Sequence, residues 1–144
     1  MLVDLYLIDT SAWIFALRAR PIATIKERVA SLLETDQVAT TGMVMLELMS
    51  SVRIQAEGHR LKWRLARLHY FPIPESIWER AAWLVWRLRR RGVTVSFTDA
   101  VIAAIAMEQN AVVLHADSDF DRIAQHEELS TESYVKVIAS EKNP

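Results

Sequence analysis

The chain has 144 residues, 51% of them hydrophobic and 24% charged, with a net charge of −1 at pH 7. That balance excludes a disordered chain and predicts one folded domain over residues 1–144. There is no cysteine, which excludes disulfides and thiolate metal sites; no apolar run nears the ~20 residues that span a bilayer, and the N-terminal stretch with Asp4 and Asp9 lacks the basic region of a signal peptide, so a cytoplasmic protein without membrane contact is expected.

Leu2 to Ile8 is apolar apart from Asp4, as in a strand of a sheet covered on both faces. Asp9 or Thr10 caps a helix from Ser11 to about Leu17, and Arg18 to Pro21 breaks it. Residues 24–34 form an amphipathic helix with Ile25, Val29, Leu32 and Leu33 inward. Val38 to Thr40 is a short strand. Thr41 then caps a long helix carrying Met45, Leu48, Met49 and Val52, with Glu47 in its early turns. A basic helix follows around 59–68, then a strand over 68–73 ended by Pro72 and Pro74. Ser76 and Glu79 make a capping box for a helix that ends in Arg87 to Arg91 and Gly92, basic residues and a glycine suiting its negative end. Thr98 caps an alanine-rich helix from Asp99 to about Gln109. Ala111 to His115 is a strand, "ADSDFDRIA" follows, and residues 134–138 form the last strand. Strands alternating with helices predict an α/β fold with a five-stranded parallel sheet.

Charge is segregated. Residues 53–91 hold ten Arg and Lys against three Glu, and the rest of the chain is acidic. A basic stretch beside an acidic region is either a pair of solvated helix faces or a phosphate-binding surface next to an acidic site.

In open parallel sheets ligands bind beyond the carboxyl ends of the strands. Asp9 and Asp117 each follow a strand, and Glu47 and Asp99 sit in early turns of helices that start on the same edge. Taken singly, each acid has a structural explanation, as an N-cap, a first-turn acid or a turn residue. Taken together they oppose folding, because two like charges ~4 Å apart repel by about 4 kcal/mol at an effective dielectric near 20. Protons or a cation must relieve that. All-oxygen ligands favour a hard ion, Mg2+ or Mn2+, which activates water for attack on phosphate esters.

The stretches "LIDTSAWI", "MVMLELMS", "SFTDAVIAAIA" and "LHADSDFDRIA" resemble, in order and spacing, the four acidic motifs of PIN-domain nucleases, above all the VapC-type toxins of bacterial toxin–antitoxin pairs. The resemblance runs from residue 2 to about 124. It implies a PIN-like α/β/α sandwich and Mg2+- or Mn2+-dependent endoribonuclease activity on transfer RNA or other structured RNA. It also implies a cognate antitoxin that covers the site, and a homodimer. By position it makes Asp9, Glu47, Asp99 and Asp117 the acidic quartet that binds the metal and carries catalysis, with Asp119 as an auxiliary acid. Ser11 and Thr10 would support the site through a water or Asp9, and Thr98 would orient Asp99. His115 stands where the family often has a hydroxyl residue; it could make a supporting hydrogen bond, touch a phosphate or fill the core.

Other readings are weaker. Asp117-x-Asp119-x-Asp121 has the spacing of a calcium loop, but Arg122 occupies the position that requires glycine. A receiver domain needs a lysine at the end of its last strand, and Lys136 is expected mid-strand. The alternative of another class is a PIN-like module that binds RNA or protein without cutting. Trp78, Trp83 and Trp86 recur at helical spacing as core or dimer contacts, and with Trp63 could also line a groove for an antitoxin helix.

Overall fold

The computed structural model describes residues 3–142. Five strands, β1 (Tyr6–Ile8), β2 (Val38–Thr41), β3 (His69–Phe71), β4 (Val112–His115) and β5 (Thr131–Ser133), form one sheet in the order β3-β2-β1-β4-β5. Every pairing is parallel. The connections carry α1 (Thr10–Leu17), α2 (Ala23–Glu34), α3 (Gly42–Ser50), α4 (Gln55–Leu65), α5 (Glu75–Arg90), α6 (Phe97–Gln109) and α7 (Ser118–His126), and α8 (Val135–Lys142) follows β5. Leu7 and Ile8 on β1, and Val113 and Leu114 on β4, are wholly buried. Adjacent strand residues point to opposite faces, so helices cover both sides of the sheet.

The strand order reverses between β1 and β4. The chain leaves through β2 and β3 on one side and returns through β4 and β5 on the other. This switch point is where open α/β sheets form their ligand crevice. Just beyond it, the Asp9 amide donates to the Leu114 carbonyl at 2.9 Å. Beside it, α6 is buried at every residue from Asp99 to Ala106. Its alanines let α5 pack close along it.

Some elements depart from expectation. The first strand is shorter than 2–8, and Leu2 lies outside the described residues. The last strand is the polar Thr131–Ser133, not 134–138, where Val135, Val137 and Ile138 belong to α8. An edge strand has no apolar alternation to betray it, whereas the β-branched run beyond it imitates one. The helix after Thr41 stops at Ser50, short of Val52, and the basic helix runs from Gln55 to Leu65 rather than over 59–68. The Thr41 hydroxyl donates to the Phe71 carbonyl at 2.8 Å instead of capping α3. The Ser76–Glu79 box does not form: α5 starts two residues earlier, behind Pro74, and Glu79 accepts from the Trp83 indole at 3.3 Å. Leu33 is 45% exposed rather than inward. Gly92, with φ of +76°, does terminate α5.

Candidate active site

β1 delivers Asp9, which is 4% exposed. Its carboxylate caps α1, accepting from the Ser11 amide at 3.0 Å and the Ser11 hydroxyl at 2.6 Å. The same hydroxyl accepts from the Ala116 amide at 2.9 Å, so Ser11 ties the end of β1 to the loop after β4. The Thr10 amide also faces the Asp9 carboxylate, while its side chain serves another acid. The Thr10 hydroxyl donates to Glu47 on α3 at 3.1 Å, which fixes a carboxylate arriving from another element.

Asp117 caps α7, accepting from the Asp119 amide at 2.9 Å. Asp99 lies in the first turn of α6 and is 7% exposed. The cap of α6 is Ser96, not Thr98: the Asp99 amide donates to the Ser96 hydroxyl at 3.1 Å. The Ser96 amide in turn donates to Asp119 at 3.1 Å, and Arg122 pairs with the other Asp119 oxygen. Asp99, Asp117 and Asp119 each offer an oxygen, all within 4.8 Å of one another. Asp119 therefore belongs to the tightest group of acids, and Asp9 and Glu47 border it.

Burial and mutual repulsion set the electrostatics. Burial pushes the Asp9 carboxyl up, against the opposing effect of its Ser11 bonds. Burial also raises Glu47, with Asp9 and Asp117 adding to the shift. Asp99 is pushed up to about 8, by burial first, then by sharing a proton with Asp119 and by the charges of Asp117 and Asp9. Burial alone would raise Asp119 too, but bonds from the Ser96 amide, Asp99 and Arg122 hold it below the usual carboxylate range. Without a cation, Asp99 holds a proton at neutral pH.

His115 is wholly buried, so it touches no phosphate. Its Nδ1 accepts from the Asp117 amide at 3.2 Å and its ring packs on Phe120 at 5.0 Å. Burial lowers its pKa, and the neutral ring acts as a supporting hydrogen-bond acceptor behind Asp117. Ser96 and Arg122, outside the expected set, both contact Asp119. Ser96-x-x-Asp99 has the capping-box pattern that signals the first, while Arg122 stands three residues beyond Asp119, within reach on one helix face.

The Ser11 bridge is testable. Ser11→Ala removes the hydroxyl from Asp9 and leaves the Ala116 amide without its acceptor. Groups that orient metal-ligating carboxylates are worth 10–100-fold, so the metal-dependent cleavage that the resemblance implies should fall at least about tenfold with the circular dichroism spectrum unchanged. Parent-level cleavage would remove Ser11 from the site.

The chain matches the PIN domain over residues 6–125. It is 35% identical over 123 residues to Ribonuclease VapC21 of Mycobacterium tuberculosis, covering 83% of this chain and 86% of that protein. It is 35% identical over 132 residues to Ribonuclease VapC11 of the same organism, covering 89% and 98%. Its fold superposes on DNA-bound VapBC from Salmonella typhimurium with a TM-score of 0.74 at 20% identity, covering 92% of this chain and 99% of that one.

Proposed function

The chain belongs to the PIN-domain family, among the VapC ribonucleases, and from that premise we propose that it is an endoribonuclease toxin, cutting RNA by attack of an activated water and silenced by a cognate antitoxin. We read residues 1–144 as a single PIN-like domain that acts in the cytoplasm as a homodimer. No described helix is long and apolar enough to cross a membrane. The observation that carries the reading is the meeting of Asp9, Glu47, Asp99, Asp117 and Asp119 at the switch point of the sheet.

The donor set is carboxylate only, with no sulfur and with the one nearby imidazole buried, which suits Mg2+ or Mn2+. Asp99, Asp117 and Asp119 would hold the ion, with Asp9 and Glu47 alongside. When bound, such an ion neutralises phosphate charge and makes a water acidic enough to attack at neutral pH. The chain's own residues do the rest. Ser11 fixes Asp9, Ser96 and Arg122 fix Asp119, and His115 holds the Asp117 backbone. Glu47, held by Thr10 and with a raised proton affinity, is suited to take the proton that the attacking water releases.

Two surfaces support the partner assignments. A groove of about 440 Å3 between α1, α2 and α4, lined by Trp13, Leu17, Leu33, Leu61 and Leu68 and edged by Arg64 and Arg67, suits the apolar face of an antitoxin helix. Trp83 and Trp86, stacked edge-on at 5.7 Å and about half exposed, suit a dimer contact. Trp63 stands on α4 and Trp78 on another face of α5, so the four tryptophans do not share one face.

Induced expression in bacteria tests the toxin. The parent should arrest growth and the Asp117→Asn variant should not, at equal protein levels. Equal arrest by both would overturn the reading.

A further inference from the structure

We propose that the groove between α5 and α6 is a subsite for unpaired bases flanking the cut bond, with Phe97 as the ring on which a base stacks and Arg89 as the cation for its phosphate. The proposal rests on the nuclease reading and adds where the RNA lies.

The groove has a volume of about 460 Å3, and its lining includes Trp78, Val85, Arg89, Phe97 and Val101. At ~1.5 Å per residue, the part of α5 from Trp78 to Arg89 spans about 16 Å. Both ends are marked by exposed rings: Phe97 is 68% and Trp78 50% exposed. Phe97 begins a helix that is buried without a break from its third residue to its tenth. The ring is left largely in water, with the Arg89 guanidinium over it.

Phe97 is also rigidly tied to the acids. Ser96, immediately before it, donates its amide to Asp119 and accepts at its hydroxyl from the Asp99 amide. A base on the Phe97 ring would therefore sit at a fixed place relative to the carboxylates that handle the phosphodiester. Aromatic rings serve single strands this way, because every base has a face to stack.

Charge decides between RNA and a second copy of the chain. The Arg89 guanidinium lies over the Phe97 ring, 5.7 Å from its centre. Arg80 and Arg87 of the same helix are paired with Glu108 and Glu127, whereas among the described residues Arg89 has no carboxylate partner. No acidic residue lines the groove. A two-fold contact between copies would bring two such basic rims together, whereas a polyanion supplies the missing counter-charge. The Trp83–Trp86 face, a quarter-turn away on α5, is left for protein contacts.

The test measures binding of a fluorescent single-stranded oligouridylate by anisotropy, in EDTA, with a fully paired RNA hairpin as the comparison. Phe97→Ala should weaken binding of the single strand about tenfold or more, and binding of the hairpin much less. Phe97→Trp should restore it. Arg89→Gln should weaken it and lower the salt slope by about 0.7. Both side chains lie on the surface, so the variants should fold. If the Phe97→Ala and Arg89→Gln variants bind the single strand as the parent does, while the parent cuts RNA with metal, the subsite is wrong and the nuclease reading stands. If the parent neither binds nor cuts RNA, both fall. If Phe97→Ala instead turns a dimer into a monomer in light scattering with RNA affinity unchanged, the groove belongs to a second copy.

Discussion

Asp99→Asn should abolish metal-dependent RNA cleavage and raise the melting temperature of the metal-free protein. The two effects share one cause. Asp99 is buried among Asp9, Asp117 and Asp119, which pushes its pKa to about 8. As it ionises without a cation, it repels its neighbours; asparagine keeps the shape and hydrogen-bonding capacity without the charge. Losing an outer support of a metal ligand costs 10–100-fold, so losing a carboxylate proposed to hold the ion should cost about 100-fold or more. The pH dependence follows in sign. Between about 4 and 8, folded Asp99 holds a proton that the unfolded chain has lost, so the metal-free parent loses stability as pH rises through this window. Measured between pH 7 and 9 in EDTA, the parent should lose on the order of 1 kcal/mol, or a few degrees, relative to the variant. His115 does not confuse the comparison, since parent and variant both carry it in the same buried place. A parent and variant with parallel melting profiles would show that Asp99 is not held in its protonated form.

Phe120→Ala should destabilise the protein by about 3–5 kcal/mol, the usual cost of removing a wholly buried phenyl group. Phe120 is wholly buried and supports the His115 ring. His115 in turn holds the Asp117 amide, so the cavity lies beneath a carboxylate of the site. The midpoint of urea unfolding should fall with its slope unchanged, and cleavage should fall with it. A loss below about 1 kcal/mol would mean that the β4–α7 layer does not pack as described. Phe97→Ala removes the same ring from the surface and should leave stability nearly unchanged, so the pair separates packing from substrate contact.

What was legible in the sequence follows what each segment buries. Continuous apolar runs marked β1 and β4 because both lie inside the sheet, and a carboxylate just after each run located Asp9 and Asp117. Glu47 and Asp99 stand in early turns of helices that start on the same edge, and the fold brings both beside Asp9 and Asp117. The edge strand Thr131–Ser133 left no trace, since it buries little. Thr98 adjoins Asp99 and so imitates a cap, whereas the reach of a capping side chain is two to three residues, which selects Ser96. The part played by His115 depends on Phe120 and the Asp117 amide, contacts made only once α7 folds back on β4. Asp119 looked auxiliary because it falls outside the quartet, yet the turn after β4 directs it toward Asp99.

The central claim is that this cluster of acids cuts RNA with a divalent cation. Its most direct test is incubation of total cellular RNA with purified, antitoxin-free protein in Mg2+, in Mn2+ and in EDTA, with the products mapped at their ends. Discrete fragments with metal and intact RNA in EDTA are the result expected. A folded protein that binds RNA but leaves it intact in both metals would contradict the claim and make the chain a PIN-like binding module that does not cut.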